Sequence, residues 1–279
     1  MGKLIQCSSK LAKEPYHFPL TKTNVYSLEE VCYYIRHNIY MMQEEIFDRD
    51  FAHWVNRELG LGETADKLEK LISEHHNLKD IVVTICCSCD YYEEDEIREL
   101  IQIMDDLEKL PMYARRKYKG DSFLKCASYE KAIEEYDKIF ESDEILQADG
   151  KVYGDLFHNM AIAYVHLGEL KKASEFFLKA YEKNEREESL FQCAFALRLN
   201  KDVAQYKKLI NDLEISSAQQ LAWEERFKSA QERAEQSAGA SQIRKLRVLY
   251  QNGAMNEYNE KVNRMISDWK NEYRKQIRV

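Results

Sequence analysis

Residues 154–187 read "GDLFHNMAIAYVHLGELKKASEFFLKAYEKNERE", and the reading of this stretch decides the fold. Phe157, Met160, Ala161 and Tyr164 recur at spacings of three and four, and so do Ala173, Phe177 and Ala180 beyond Gly168. Such periodicity describes two amphipathic helices rather than strands. Gly168, within "HLGEL", stands where a left-handed residue would end the first helix. Ala161 and Ala173 are small where paired helices would cross, which permits close backbone approach. Phe157, Tyr164 and Phe177 are large where neighbouring helices would interlock.

The same arrangement occurs upstream. "YARRKYKGDSFLKCASYEKAIEEYDKIFESDEIL" (113–146) puts Gly120 at the first small position, Phe123 at the following aromatic and Ala132 at the second small one. Tyr136 and Ile139 complete its packing positions, and "QADGKVY" separates the two stretches. Both resemble the tetratricopeptide repeat, a 34-residue helix–turn–helix unit, along their whole length. Glu185 stands where that family frequently closes its repeat with proline. Downstream the likeness decays. "SLFQCAFALRLNKDVAQYKKLINDL" keeps Ala194, Leu197, Val203, Ile210 and Leu213 but has Tyr206 at the second small position. "IRKLRVLYQNGAMNEYNEKVNRMI" keeps Leu246, Gly253, Val262 and Met265, with Tyr258 at that position. These read as degenerate repeats or capping helices. Between them, 216–240 reads as one long amphipathic helix, capped by Ser217 and ended by Gly239, with Leu221, Trp223, Phe227 and Ala230 as its apolar stripe.

The N-terminal third resembles no family. Its extended-looking sequence, "KLIQC", "PYHFP" and "NVY", lies within residues 1–26 and predicts a short hairpin or an irregular cap. "SLEEVCYYIRHNIYMM" begins with a capping box, Ser27 to Glu30, and carries Leu28, Val31, Ile35 and Ile39 as an apolar line extended by Tyr34 and Met42. "DRDFAHWVNRELGL" offers Phe51, Trp54, Val55 and Leu59 on one face with Gly60 as terminator. Further helices are predicted at 63–73, 78–89 and 93–109, closed by Pro111. The expected organisation is all-α: a helical module over 1–110, then a repeat domain over 111–279.

Composition agrees with long helices. Nine glycines and three prolines among 279 residues, 32% of them charged, leave little material for phosphate loops or tight hairpins. The net charge of −8 argues against a general nucleic-acid binder, which needs a basic face. Charge is uneven, since Arg244, Lys245, Arg247, Lys261, Arg264, Lys270, Arg274, Lys275 and Arg278 make the C-terminal end basic. No apolar run approaches the length of a membrane span. The opening "MGKLIQCSS" fits neither myristoylation, having Gln6 at the required hydroxyl position, nor a lipoprotein signal. Seven cysteines without a secretion signal suit a reducing compartment, so the expected location is cytoplasmic.

"TICCSCDYYEED" (84–95) is the most chemically loaded stretch. As the end of a helix over 78–89 with Asn77 as N-cap, it places Leu78, Ile81, Val82, Ile85, Cys86 and Cys89 on one side, where cysteine serves as a small apolar residue. Two alternatives remain: zinc held by Cys86 and Cys89 with His75 or His76, and a redox pair. Zinc lacks a second ligand pair, because Cys7, Cys32, Cys126 and Cys193 are isolated; a redox motif would want a preceding strand. No metal or cofactor is expected. Enzymatic chemistry has little to start from. His53, His75, His76, His158 and His166 have no nucleophile partner in a strained turn, and the pairs Glu44–Glu45 and Glu134–Glu135 read as solvated.

The repeat resemblance implies a concave wall of first helices on which a peptide or partner protein could lie. Some members of that family grip a C-terminal carboxylate with basic residues and asparagines. Lys117 and Asn159 match two such positions, whereas Asp121 falls where an asparagine is needed and Ser189 and Cys193 replace basic residues. The groove candidates are Arg116, Lys117, Asp121, His158, Asn159 and Ala163. The expected function is a non-enzymatic adaptor for a protein or peptide ligand, without nucleic acid or membrane insertion. The alternatives are a peptide-responsive transcriptional regulator and a helical enzyme or zinc protein.

Overall fold

The computed structural model describes residue 7 and residues 10–42, 44–74 and 77–277. Most of "KLIQC", together with His75 and His76, lies outside them. Among the described residues the chain is all-α apart from one antiparallel hairpin, β1 (Tyr16–Phe18) with β2 (Thr23–Val25), in which Phe18 pairs with Thr23. Two compact units form. One runs to Glu169 and takes in Glu182–Asn184; the other comprises Leu170–Tyr181 and the chain from Glu185 onward. The first unit therefore holds not only the predicted N-terminal module but also the helix pair of residues 113–146, because the helix beginning at Met112 packs on the 3₁₀ turn Ile39–Met41.

The first unit opens with α1 (Leu28–His37), α2 (Arg49–Trp54), α3 (Gly62–Ser73), α4 (Leu78–Cys86) and α5 (Glu94–Lys109). Ser27 Oγ caps α1 by accepting from the Glu30 amide at 3.2 Å, but the Glu30 carboxylate reaches the Tyr26 amide instead of closing the box on Ser27. The helix expected to continue through Met42 stops at His37. Asn38 turns its side-chain amide onto the Tyr34 carbonyl, and Ile39–Met41 tightens into the 3₁₀ turn. Leu28, Val31, Ile35, Phe51, Leu68, Ile81 and Ile85 meet in one core. A π-helical turn, Val55–Leu59, extends α2 to Gly60, whose φ of +74° supplies the predicted left-handed stop. Asn77 caps α4 as expected, yet that helix ends at Cys86, three residues early. The unit continues with α6 (Met112–Lys125), α7 (Tyr129–Phe140) and α8 (Gly150–His166), followed by α9 (Leu170–Asn184), whose last residues belong to it.

The second unit contains α10 (Glu187–Leu199), α11 (Val203–Asp212), α12 (Ser217–Glu235), α13 (Ala238–Gln251) and α14 (Met255–Ile277). Phe191 and Phe195 of α10 stack on Phe227 of α12, and Trp223 meets Phe191 edge to face. Of the stripe predicted on 216–240, Trp223 and Phe227 are buried while Leu221 is 64% exposed. The single helix expected there is two. Ser216, not Ser217, caps α12, and the Ser237 hydroxyl accepts from the Ala240 amide to start α13, so Gly239 falls inside a helix rather than ending one.

One local device recurs through both units. At Ala127, Gly168, Lys201, Glu214 and Gly253 the chain turns left-handed, and each time two amides fold back onto the preceding helix in the same pattern. Ala127 N bonds Leu124 O and Ser128 N bonds Phe123 O; Gly168 N bonds Val165 O and Glu169 N bonds Tyr164 O; the other three repeat this. This is the Schellman closure, which satisfies two carbonyls at a helix end. Only two of the five positions are glycine, so three ordinary residues accept a conformation costing about 1–2 kcal/mol.

Candidate partner-binding surfaces

Seven residues before the turn residues Ala127, Gly168, Lys201 and Gly253 stand Gly120, Ala161, Ala194 and Leu246; five after them stand Ala132, Ala173, Tyr206 and Tyr258. Gly120, Ala132, Ala161, Ala173 and Ala194 are buried, whereas Tyr206, Leu246 and Tyr258 are only half-buried. The small residues therefore sit inside, and burial weakens toward the C-terminus along with the sequence pattern.

Asp121, one turn before the end of α6, gathers three donors. Lys117 Nζ, four residues earlier on the same helix, lies 2.7 Å from Oδ2. The Tyr136 hydroxyl of α7 donates to Oδ1 at 2.7 Å, and Asn159 Nδ2 of α8 donates to the same oxygen at 2.8 Å. Burial and the adjacent Asp121 charge both push the Tyr136 phenol upward, which keeps it a donor. The structure thus brings Lys117, Asp121 and Asn159 together, but as a network that ties three successive helices to one another. With Lys117 in contact, Asp121 presents little net charge to a ligand. His158 is half-buried beside Asn159 on α8, and Ala163 is fully buried, so it offers a ligand no surface. Tyr136 was legible only as an apolar packing position; nothing in the spacing revealed its hydroxyl as the cross-helix donor.

Arg116 faces elsewhere. It donates to Glu135 at 3.2 Å, and Lys138 and Lys119 approach the same carboxylate at 3.1 and 3.6 Å. Glu135 was expected to be solvated with Glu134, yet its side chain is only 8% exposed. Burial pushes this carboxyl upward, but the Lys138 hydrogen bond and the charges of Lys119, Lys138 and Arg116 outweigh burial and hold it below the ordinary 4.5. Because the folded value is the lower one, this stabilisation is present above pH 4.5 and is lost as pH falls through the folded value. Thermal unfolding of the first unit should therefore lose stability more steeply below pH 4.5 in the native chain than in Glu135→Gln. Equal slopes would remove Glu135 from the account. Over this carboxylate lies a cleft of about 290 Å³, with Ile39, Met42 and Leu107 as its apolar part and Arg115, Arg116 and Lys119 as its cationic part.

A second cleft, of about 530 Å³, borders the β-hairpin. Of its carboxylates Glu45, Asp48 and Asp50, Asp48 accepts the Phe51 amide as the cap of α2 and the Tyr16 hydroxyl at 3.3 Å. Among the described residues, no group of three or more His, Cys, Asp or Glu side chains could hold a metal ion, and no helix is long and apolar enough to cross a membrane.

In the second unit, α13 and α14 pack as a hairpin closed at Gly253. Leu246, Leu249, Tyr258, Val262 and Met265 are half-buried, and none of α13 is fully buried. Ile243, Val248, Tyr250, Ile266 and Trp269 are exposed, Trp269 by 60%. The sequence here is basic: residues 238–279 carry nine Lys or Arg against the four acids Glu257, Glu260, Asp268 and Glu272, a net of +5 in a chain whose total is −8. Lys261 pairs with Glu257 and Arg264 with Glu260 along α14.

Compared with known proteins, this chain matches no family model, no curated protein and no solved structure.

Proposed function

We propose that the chain is a non-enzymatic adaptor that binds another protein, built from tetratricopeptide-like helix–turn–helix repeats and working in the reducing cytoplasm. The recurring left-handed closures and the buried small residues seven before and five after them support the repeat reading. Seven free cysteines support the compartment.

The observation that carries the function is the α13–α14 hairpin. A helix pair that buries little of its own apolar surface, and exposes a tryptophan in a stretch of basic sequence, is matched to a partner rather than to its own chain. The basic flanks select an acidic amphipathic helix as that partner. The Lys117–Asp121–Asn159 network is a poorer surface, since its polar groups already satisfy one another.

The test compares affinity capture by the full chain with capture by the double variant Ile266→Glu, Trp269→Glu, followed by reconstitution with the purified partner. A direct partner should be recovered at least about tenfold less by the variant, and its binding should weaken with salt. Equal recovery would place the contact elsewhere.

A further inference from the structure

The cysteines of "TICCSCDYYEED" come together with a residue distant in sequence. Cys32, on α1, is buried, and its sulfur lies 3.5 Å from that of Cys89, in the turn after α4. Cys86 is a further sulfur neighbour of Cys32, buried within α4. Cys87 points outward and is exposed. Helix α4 ends at Cys86, and Cys89 meets the Cys32 sulfur from the turn that follows.

We propose that Cys32 and Cys89 form a reversible disulfide when the folded chain meets a hydroperoxide. The two sulfurs need only close from 3.5 Å to about 2.05 Å, a movement within reach of side-chain rotation. Cys89 is half-buried, so a small peroxide can reach it, and Cys32 stands behind it as the resolving thiol. The hydrogen bond shared with Cys32 and that from the Tyr91 amide lower the Cys89 pKa; burial, Glu29 and Asp90 oppose the effect without reversing it. The more exposed Cys87 is pushed the other way, by burial and by its thiol and carboxylate neighbours. Exposure alone would therefore pick the wrong cysteine.

The chemistry balances in two steps. The Cys89 thiolate attacks a peroxide oxygen, forming an S–O bond, breaking O–O and releasing hydroxide or alkoxide. The Cys32 sulfur then attacks the Cys89 sulfur, forming S–S and breaking S–O, and its proton leaves with the hydroxyl as water. Two electrons pass from the dithiol to the peroxide, and a thiol reductant returns them.

The experiment treats the full chain and its Cys87→Ser variant with hydrogen peroxide, quenches with an alkylating reagent and maps thiols by non-reducing digestion and mass spectrometry. Circular dichroism before the quench ensures that the reacting chain is folded. The expected result is a Cys32–Cys89 linked peptide in both proteins, with two free thiols lost per chain and recovered by dithiothreitol. A Cys89→Ser variant should keep Cys32 alkylatable after peroxide. Linkage through Cys86 or Cys87, or Cys89 advancing to sulfinic acid while Cys32 stays free, would overturn the proposal.

Discussion

Tyr136→Ala should destabilise the first unit by about 3–5 kcal/mol, the range for removing a large buried aromatic side chain. Tyr136 is fully buried, its ring fills the space over Gly120, and its hydroxyl is one of three donors to Asp121. Truncation would leave a cavity between α6 and α7 and also remove a hydrogen bond to a charged group. Tyr136→Phe separates the two losses. It keeps the ring and removes only the hydroxyl, so about 1–2 kcal/mol is expected, because Asp121 retains Lys117 and Asn159. Hydrogen exchange resolved by segment is the suitable measurement, since two compact units need not unfold together. Protection should fall across α6, α7 and α8 first. If the phenylalanine variant lost as much as the alanine variant, the hydroxyl network rather than the packing would be holding these helices.

Gly120→Ala sets two effects of opposite sign against each other. Within a helix, replacing glycine by alanine ordinarily gains about 1 kcal/mol. At Gly120, however, an added Cβ would stand 2.5 Å from Cε1 of Tyr136 and 2.9 Å from its Cδ1. That ring is held by its bond to Asp121 and cannot simply swing away. Overpacking of this kind costs about 1–3 kcal/mol, so the net expectation is destabilisation. Gly239→Ala is the internal control: nothing lies within 4 Å of its added Cβ, and a gain of about 0.5 kcal/mol is expected. Urea titrations of the two variants should move in opposite directions. A stabilised Gly120→Ala would mean that α6 and α7 are not in close contact at this point.

Gly120, Ala132, Ala161 and Ala173 were legible as contact positions because close approach demands a small side chain whatever surrounds it. Gly60 and Gly168 were legible as helix stops because a left-handed residue is most cheaply a glycine. Ala127, Lys201 and Glu214 perform the same closure invisibly, since their conformation is imposed by the Schellman hydrogen bonds and not by their side chains. The split of 216–240 into α12 and α13 was missed for a related reason: Ser237 has the right chemistry for a cap, but the hydrophobic period on either side gave no break.

The sequence by itself determined the all-α class, the helix–turn–helix spacing and which small residues face inward, because these depend on interactions within a few residues of one another. Tertiary structure alone decided what the polar side chains do. Asp121 became a hub through Tyr136 and Asn159, Glu135 a buried anion through Arg116 and Cys89 the neighbour of Cys32, with partners from 15 to 57 residues away. Hydrogen bonds and sulfur contacts act only over a few ångströms, and no periodicity in one helix says which distant side chain will arrive there.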